Sequence, residues 1–218
     1  MKIQILLVDD HQMFREGLRS ILERDHNLEV VGEASDGRQA MELAAKSPAP
    51  NVIIMDIGMP GLNGIDATRQ ILANSPKAKV IALSAHSDRR FITAMLEAGA
   101  SAYVLKEAAA EEILRAVSAV HAGRKYISSE IVGSVIDGFV SREVPEGARR
   151  FNVLATRERE VVQLLAEGMT SKEVANRLHI SVKTVETHRR NIMNKLNVRS
   201  IASLTKFAIR EGLTSSEG

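Results

Sequence analysis

Cysteine and tryptophan are absent from the 218 residues, and aromatic side chains make up only 3% of them. Without cysteine there is no disulfide framework, no thiolate metal site and no cysteine nucleophile. No apolar run approaches the roughly 20 residues of a membrane span. The apolar start, Ile3–Val8, is short and runs into Asp9-Asp10, which is not the pattern of a signal peptide. These absences lead to the expectation of a cytoplasmic chain with no membrane partner, forming one large domain or two small ones.

Charge is uneven along the chain. Residues 151–218 hold 11 Lys+Arg against 7 Asp+Glu, a balance of +4, whereas residues 1–150 hold 18 against 20, a balance of −2. A mildly basic C-terminal end suits a polyanionic partner, although +4 alone is a weak argument.

The most informative stretch is Val52-Ile-Ile-Met-Asp56 followed by Ile-Gly-Met-Pro-Gly-Leu-Asn-Gly64. A short apolar run ending in one acidic residue and a Gly/Pro-rich turn is how a buried parallel strand delivers a carboxylate to a sheet edge. Similar runs occur at Ile3–Val8, Leu28–Glu33, Ala78–Ser84 and Ala102–Lys106. Stretches with helical spacing separate them, including one over about Ile65–Ala73. A final stretch carries Ile113, Val117 and Val120 towards Gly123. Five strands alternating with five helices predict a doubly wound parallel α/β sheet, and right-handed crossovers favour the order 2-1-3-4-5. In that order strands one and three are neighbours, so Asp9, Asp10 and Asp56 converge in one crevice. Three carboxylates so placed need a cation, and hard oxygen ligands suit Mg²⁺. Ser84 and Lys106, ending strands four and five, stand ready for the oxygens of an anion that the metal also touches, an arrangement for phosphoryl transfer to a carboxylate. Each position also has a plainer use. Asp10 can cap the first helix, Ser84 can be a turn hydroxyl, and Tyr103 can be a half-buried strand aromatic.

Asp9-Asp10, Asp56 in MDIGMPGLNG, Ser84-Ala85 and Lys106 together resemble the receiver domain of two-component response regulators over residues 1–123. The resemblance implies that Asp56 accepts a phosphoryl group from a sensor histidine kinase. It implies that Asp9, Asp10, Asp56 and the Gly58 backbone carbonyl hold Mg²⁺. Lys106, the Ser84 hydroxyl and the Ala85 N–H would contact the phosphoryl group, and Tyr103 would be the aromatic switch residue that swings inward. Gly58 and His86 match positions that tune the lifetime of the acyl phosphate. With no side chain at Gly58, His86 is expected to limit water access. Many receivers have proline after this lysine, but this chain has Glu107, which leaves the peptide geometry there open.

Residues 124–150 read as a linker. An amphipathic helix over 127–140 has Ile131, Val132, Val135, Ile136 and Phe139 on one stripe and Ser128 or Ser129 as cap, and a polar tether follows over 141–150. Residues 151–218 then read as all-α, with four helices. Thr156 starts the first and Gly168 ends it; Thr170-Ser-Lys-Glu173 is a capping box for the second; Ser181 and Ser200 cap the third and fourth. Two short helices at a tight turn, the second of them basic, spell helix-turn-helix. At 100° per residue the third helix turns Val185, His188, Ile192 and Leu196 inward. Lys183, Thr187, Arg190, Asn191 and Asn194 face outward, offering donors, a methyl and phosphate-reaching cations to a major groove. Glu186 can accept from a cytosine amino group or pair with Arg190 one turn on.

This half resembles the LuxR-type helix-turn-helix through Ala155-Thr-Arg-Glu-Arg-Glu160, Gly168–Ala175 and Ser181-Val-Lys-Thr-Val-Glu-Thr-His188. Receiver plus LuxR-type domain is similar to the NarL/FixJ family of response regulators. That likeness implies base contacts from Glu186, Thr187 and Arg190, and phosphate contacts from Lys183, Asn191 and Lys195. Its implied partners are double-stranded DNA at an inverted repeat, a second copy of the chain and RNA polymerase. The rival reading, a Mg²⁺-dependent phosphatase with Asp56 as nucleophile, is disfavoured by the attached DNA-binding half. A vestigial acidic site is disfavoured because every acidic position is filled.

Overall fold

The computed structural model describes residues 2–46, 48–85, 87–108, 110–140 and 153–214, without the side chains of 134, 135 and 137–140. The chain divides into two compact units, Met1–Glu143 and Val144–Gly218. His86 and the tether expected over 141–150 lie outside the described residues, as do the Val135 and Phe139 side chains of the expected linker stripe.

The first unit alternates strand and helix: β1 (Ile3–Val8), α1 (Gln12–Leu22), β2 (Leu28–Ala34), α2 (Gly37–Ala44), β3 (Val52–Asp56), α3 (Gly64–Asn74), β4 (Lys79–Ser84), α4 (Arg89–Glu97), β5 (Ala102–Leu105) and α5 (Ala110–His121). Then come a two-residue strand β6 (Tyr126–Ile127) and α6 (Ser129–Val140). The parallel sheet runs β2-β1-β3-β4-β5-β6. The order through β5 is the expected one; the strand count is six where five were expected. Tyr126 and Ile127 extend the sheet by pairing with Ala102 and Tyr103. The linker helix begins two residues later than its stripe suggested, and Ile131 at its start is buried in the core of this unit.

Side-chain alternation splits this core into two layers. Ile5, Leu7, Val52, Ile54, Ile81, Leu83, Ala102 and Val104 face α1 and α5, packing on Leu18, Leu22, Ile113 and Val117. Leu6, Val8, Ile53, Met55, Val80, Ala82 and Tyr103 face α2, α3 and α4, with Ile65, Ile92 and Met95. Strands covered on both faces have no polar side to show, which is why they read as unbroken apolar runs. Helix starts follow their caps: Asp36 accepts from the Arg38 and Gln39 N–H groups, Asn63 from Asp66, and Asp88 from Arg90. Each such cap contributes about 1 kcal/mol.

The second unit holds α7 (Thr156–Ala166), α8 (Ser171–Leu178), α9 (Val182–Leu196) and α10 (Ile201–Arg210) around Val161, Val162, Leu165, Val174, Leu178, Val185, Ile192, Leu196, Leu204 and Phe207. Thr170 and Glu173 form the expected capping box, and Ser181 and Ser200 accept from the Thr184 and Ser203 N–H groups. The cap of α7 is Ala155, which has no hydroxyl to accept from the first turn; the other half of a capping box is present, Glu158 reaching back to accept from the Ala155 N–H at 2.8 Å. His179 ends α8 in the left-handed region at φ 53°, which turns the chain within two residues into the Ser181 cap. No helix among the described residues is long and apolar enough to cross a membrane.

Gly64 fixes how closely α3 approaches the end of β3. Its N–H donates to the Ile57 carbonyl at 2.9 Å, and a Cβ there would lie 1.9 Å from the Asp56 carbonyl oxygen. Backbone cannot yield as a side chain can, so Gly64→Ala should cost at least about 1–3 kcal/mol. Urea unfolding of the first unit would register this as a lowered midpoint at unchanged slope. An unchanged midpoint would mean that the turn relaxes freely.

Candidate functional site

The same alternation that layers the core places the site residues. Asp9 continues the phase of Ile5 and Leu7, Asp56 that of Val52 and Ile54, and Lys106 that of Ala102 and Val104, so all three lean towards the layer under α1 and α5. Register sets them level, because Val8 pairs with Met55 and Asp56 with Leu83. Ser84 continues the phase of Val80 and Ala82, on the opposite layer, which is also that of Tyr103. The two sets meet at the carboxyl edge of the sheet, where α/β folds bind ligands.

There the structure brings together Asp9, Asp10 and Asp56, with ligand atoms of these and of His11 all within 4.8 Å of one another. Asp9 and Asp56 are buried, at 3% and 4% exposure. The Lys106 ammonium bridges them, 2.6 Å from Asp9 Oδ2 and 3.0 Å from Asp56 Oδ2. It also lies 5.0 Å from the centre of the Phe14 ring, which walls the pocket on the α1 side. Asp56 Oδ1 accepts from the Gly58 N–H at 3.4 Å. The Arg15 guanidinium donates to the Asp9 backbone carbonyl at 2.6 Å, fixing the end of β1.

Electrostatics follow from this crowding. Like charges about 4–5 Å apart repel by about 3–4 kcal/mol at an effective dielectric constant near 20. Burial first, and then the Asp9 charge, push the Asp56 carboxyl above its ordinary value, with the Lys106 ammonium opposing them. Burial works against the Lys106 charge, yet the Asp56 and Asp9 carboxylates outweigh it and hold the ammonium above its usual range. Three carboxylates against one ammonium leave the pocket short of positive charge. Asp10 Oδ1 is buried, with the His11 ring nitrogen beside it at 2.9 Å. A compact set of hard oxygen donors fits Mg²⁺.

Ser84 and Tyr103 are both buried, at 1% and 0% exposure, and their hydroxyls are hydrogen-bonded to each other. The ring is therefore already inward, where the sequence suggested a half-buried aromatic or one that swings in. Burial drives the Tyr103 phenol far above its ordinary range, so the group is neutral at any physiological pH. Ala85 is exposed at the rim. The Lys106 N–H donates to the Ser84 carbonyl at 2.8 Å, tying the ends of β4 and β5 together.

The second unit presents a different surface. On α9, Val185, Ile192 and Leu196 are buried, while Lys183, Glu186, Thr187, Arg190, Asn191 and Asn194 are exposed, as the helical phase required. His188 is half-buried on the inner side. Among the described residues Glu186 and Arg190 form no ion pair, so both side chains stay free for an outside partner. A groove of about 480 Å³ runs along this side between Glu186, Arg189, Arg190, Asn194 and Arg199. Lys195 differs from expectation: its ammonium already holds Glu158 Oε2 at 2.7 Å, which ties α9 to the start of α7. Sequence reasoning missed Glu158, Phe14, Arg15 and His11. Only His11, adjacent to the aspartates, carried a signal that position could have supplied.

Comparison with known proteins assigns each unit to a family. Residues 5–118 match the response regulator receiver domain, and residues 152–208 match the bacterial regulatory proteins of the luxR family. The transcriptional regulatory protein DegU of Brevibacillus brevis is 38% identical over 224 residues, covering 97% of this chain and 94% of the relative. LiaR of Bacillus subtilis (strain 168), also a transcriptional regulatory protein, is 39% identical over 213 residues, covering 98% of this chain and 100% of the relative. Among solved structures, the two-component response regulator RcsB in complex with DNA is similar with a TM-score of 0.60 at 26% identity, over 97% of this chain and 99% of that one.

The Lys195–Glu158 pair has a measurable pH signature. Burial alone would raise the Glu158 carboxyl, but Lys195 and the Ala155 N–H overcome it and hold the group below its ordinary 4.5. A depressed carboxylate contributes stability above its unfolded value and loses it as pH falls through the folded one. Glu158→Gln should therefore lower the urea midpoint of the second unit at pH 7, and the gap to wild type should close as pH falls below 4.5. A gap independent of pH would assign the loss to packing.

Proposed function

This chain belongs to the LuxR-family response regulators, and on that premise we propose that it is a DNA-binding transcription regulator switched by phosphorylation of Asp56. The observation that carries the switch is the Asp9–Asp10–Asp56 cluster bridged by Lys106, beside a Ser84 hydroxyl already hydrogen-bonded to Tyr103. Asp9, Asp10 and Asp56, with the Gly58 carbonyl, would hold Mg²⁺, which when bound supplies the positive charge that the three carboxylates lack.

In the transfer, an Asp56 carboxylate oxygen forms a bond to phosphorus as the P–N bond of a phosphohistidine on the sensor kinase breaks, and the imidazole departs with the electron pair. Lys106 follows the charge from the carboxylate to the phosphoryl oxygens, and Ser84 and the Ala85 N–H donate to them. Gly58 puts no side chain over the group. His86 then limits attack by water on the acyl phosphate. The covalent change is self-modification by a bound donor, not turnover of a small-molecule substrate.

The output surface is α9. Glu186, Thr187 and Arg190 read base edges in the major groove, and Lys183 and Asn191 reach phosphates. Lys195 joins them where it can leave or share Glu158. A two-fold dimer would engage two half-sites of an inverted repeat about one helical turn apart, in position to meet RNA polymerase. The bounds that fit this division of labour are residues 1–123 for the receiver, 124–150 for the linker and 151–218 for DNA binding. A cytoplasmic location goes with these partners.

With acetyl phosphate and Mg²⁺, the intact protein should gain one phosphoryl group, and Asp56→Asn should gain none. Labelling that survives in Asp56→Asn would move the acceptor elsewhere. On DNA, Arg190→Ala should cost about 1–3 kcal/mol at a preferred site and relax sequence preference. Lys183→Ala should instead weaken all sequences alike and reduce the salt slope by about 0.9. Equal loss on random DNA for Arg190→Ala would make it a phosphate contact.

A further inference from the structure

The last helix of the first unit is anchored through the strand that carries Tyr103. Ser128, between β6 and α6, is fully buried at 0% exposure. Its N–H donates to the Tyr103 carbonyl at 3.0 Å, and its Oγ accepts the Leu105 N–H at 3.4 Å. Its own carbonyl accepts the Ile131 N–H at 3.1 Å, in the first turn of α6. The β5–β6 ladder stops at Tyr103 and Ile127, so without Ser128 the Leu105 amide would be left without a ladder partner on that side. One serine thus holds β5 on both sides of Val104 and starts the helix.

Packing repeats the connection. Ile131 is 1% exposed and lies in the same apolar cluster as the Tyr103 ring, with Ile92 and Met95 of α4. On the other side of α6, Val132 and Ile136 are 38% and 53% exposed, so the helix is held from its Ile131 side. Towards the acidic pocket, Ser84 pairs in register with Leu105, its carbonyl accepts from Lys106, and its hydroxyl meets that of Tyr103. From Ser84 to α6 every step is a hydrogen bond or a close-packed contact.

The geometry points to Ser128 as a positioning residue that couples the Ser84–Tyr103 pair to α6, and so to the segment leading out of the first unit. When Ser84 turns to a phosphoryl group on Asp56, the Tyr103 ring and the β5 backbone at residues 103 and 105 readjust. The Ile131 socket and the α6 start readjust with them. This rests on Asp56 being the phosphoacceptor. A serine that only satisfies an amide and caps a helix would matter for stability but not for the response.

The test uses the full chain with acetyl phosphate and Mg²⁺, reading phosphoryl uptake by intact mass and hydrogen exchange at the amides of 131–136. In the wild type, phosphorylation should change exchange over that stretch at least threefold. Ser128→Ala should take up phosphate to the same extent while keeping less than a third of that change, and Ser128→Thr, which retains the hydroxyl, should restore it. If Ser128→Ala fails to melt cooperatively, Ile131→Val, which removes one methylene from the socket, should show the same loss in milder form. Full phosphorylation of the wild type with unchanged exchange in α6, or an undiminished response in Ser128→Ala, overturns the coupling and leaves Asp56 as acceptor. Absence of phosphoryl uptake by the wild type overturns both.

Discussion

Mutual repulsion of three carboxylates at one sheet edge is the constraint around which the first unit is arranged. Asp9 and Asp56 are buried and Asp10 is close to both, so their charges are only weakly screened. A fold of marginal stability cannot keep such a cluster without compensation. Lys106 supplies one positive charge at 2.6 and 3.0 Å, and Phe14 covers its far side. The remaining deficit of positive charge is what a divalent cation would supply under the proposed function. Gly64 keeps α3 close against the Asp56 backbone, and Arg15 holds the Asp9 carbonyl. Strain and affinity here have one source.

Much of this was legible because a strand's side chains alternate. Continuing the phase of Ile5 and Leu7 to Asp9, and of Val52 and Ile54 to Asp56, puts both carboxylates on one layer from sequence alone once the strand order is accepted. The same count puts Tyr103 with Ile53, Met55 and Val80, fully inside, where its propensity as a strand aromatic suggested only partial burial. Strand β6 was not legible, since two residues carry no period. It exists because β5 leaves an edge that Tyr126 and Ile127 happen to reach after α5 turns at Gly123, φ 78°.

In the second unit, caps carried most of the information. Thr170, Ser181 and Ser200 start their helices where side-chain oxygens meet orphan N–H groups, and helical phase then separated the buried from the exposed face of α9. Lys195 departs in role rather than in phase: at 100° per residue it falls about 20° from the half-buried His188, on the flank of the inner side. From there its four-carbon stem carries the ammonium to Glu158. Glu158 illustrates the complement: read as one more charged residue in Arg-Glu-Arg-Glu, it at once holds the N–H of the α7 cap residue Ala155 and anchors α9.

Magnitudes limit what a single phosphoryl group can do to this molecule. Placed on Asp56 as proposed, it would act only through contacts that differ between states, and the donors proposed for it are Lys106, the Ser84 hydroxyl and the Ala85 N–H. Charge-assisted hydrogen bonds contribute about 1.5–3 kcal/mol each. Lys106 is not wholly new to the count, because it already pairs with Asp9 and Asp56. The two remaining donors then supply about 3–6 kcal/mol, and part of that is spent in parting or re-aiming the existing Ser84–Tyr103 bond. At about 1.4 kcal/mol per tenfold, the pocket can bias a two-state equilibrium by roughly 10²–10⁴ at most. Only the top of that range would invert a population lying about 1:99, and the lower end would merely even it out, so the receiving element has to be held as lightly as the signal is small. Among the described side chains of α6 only Ile131 is buried, with Val132 and Ile136 left to solvent, and a helix so held fits a signal of this size.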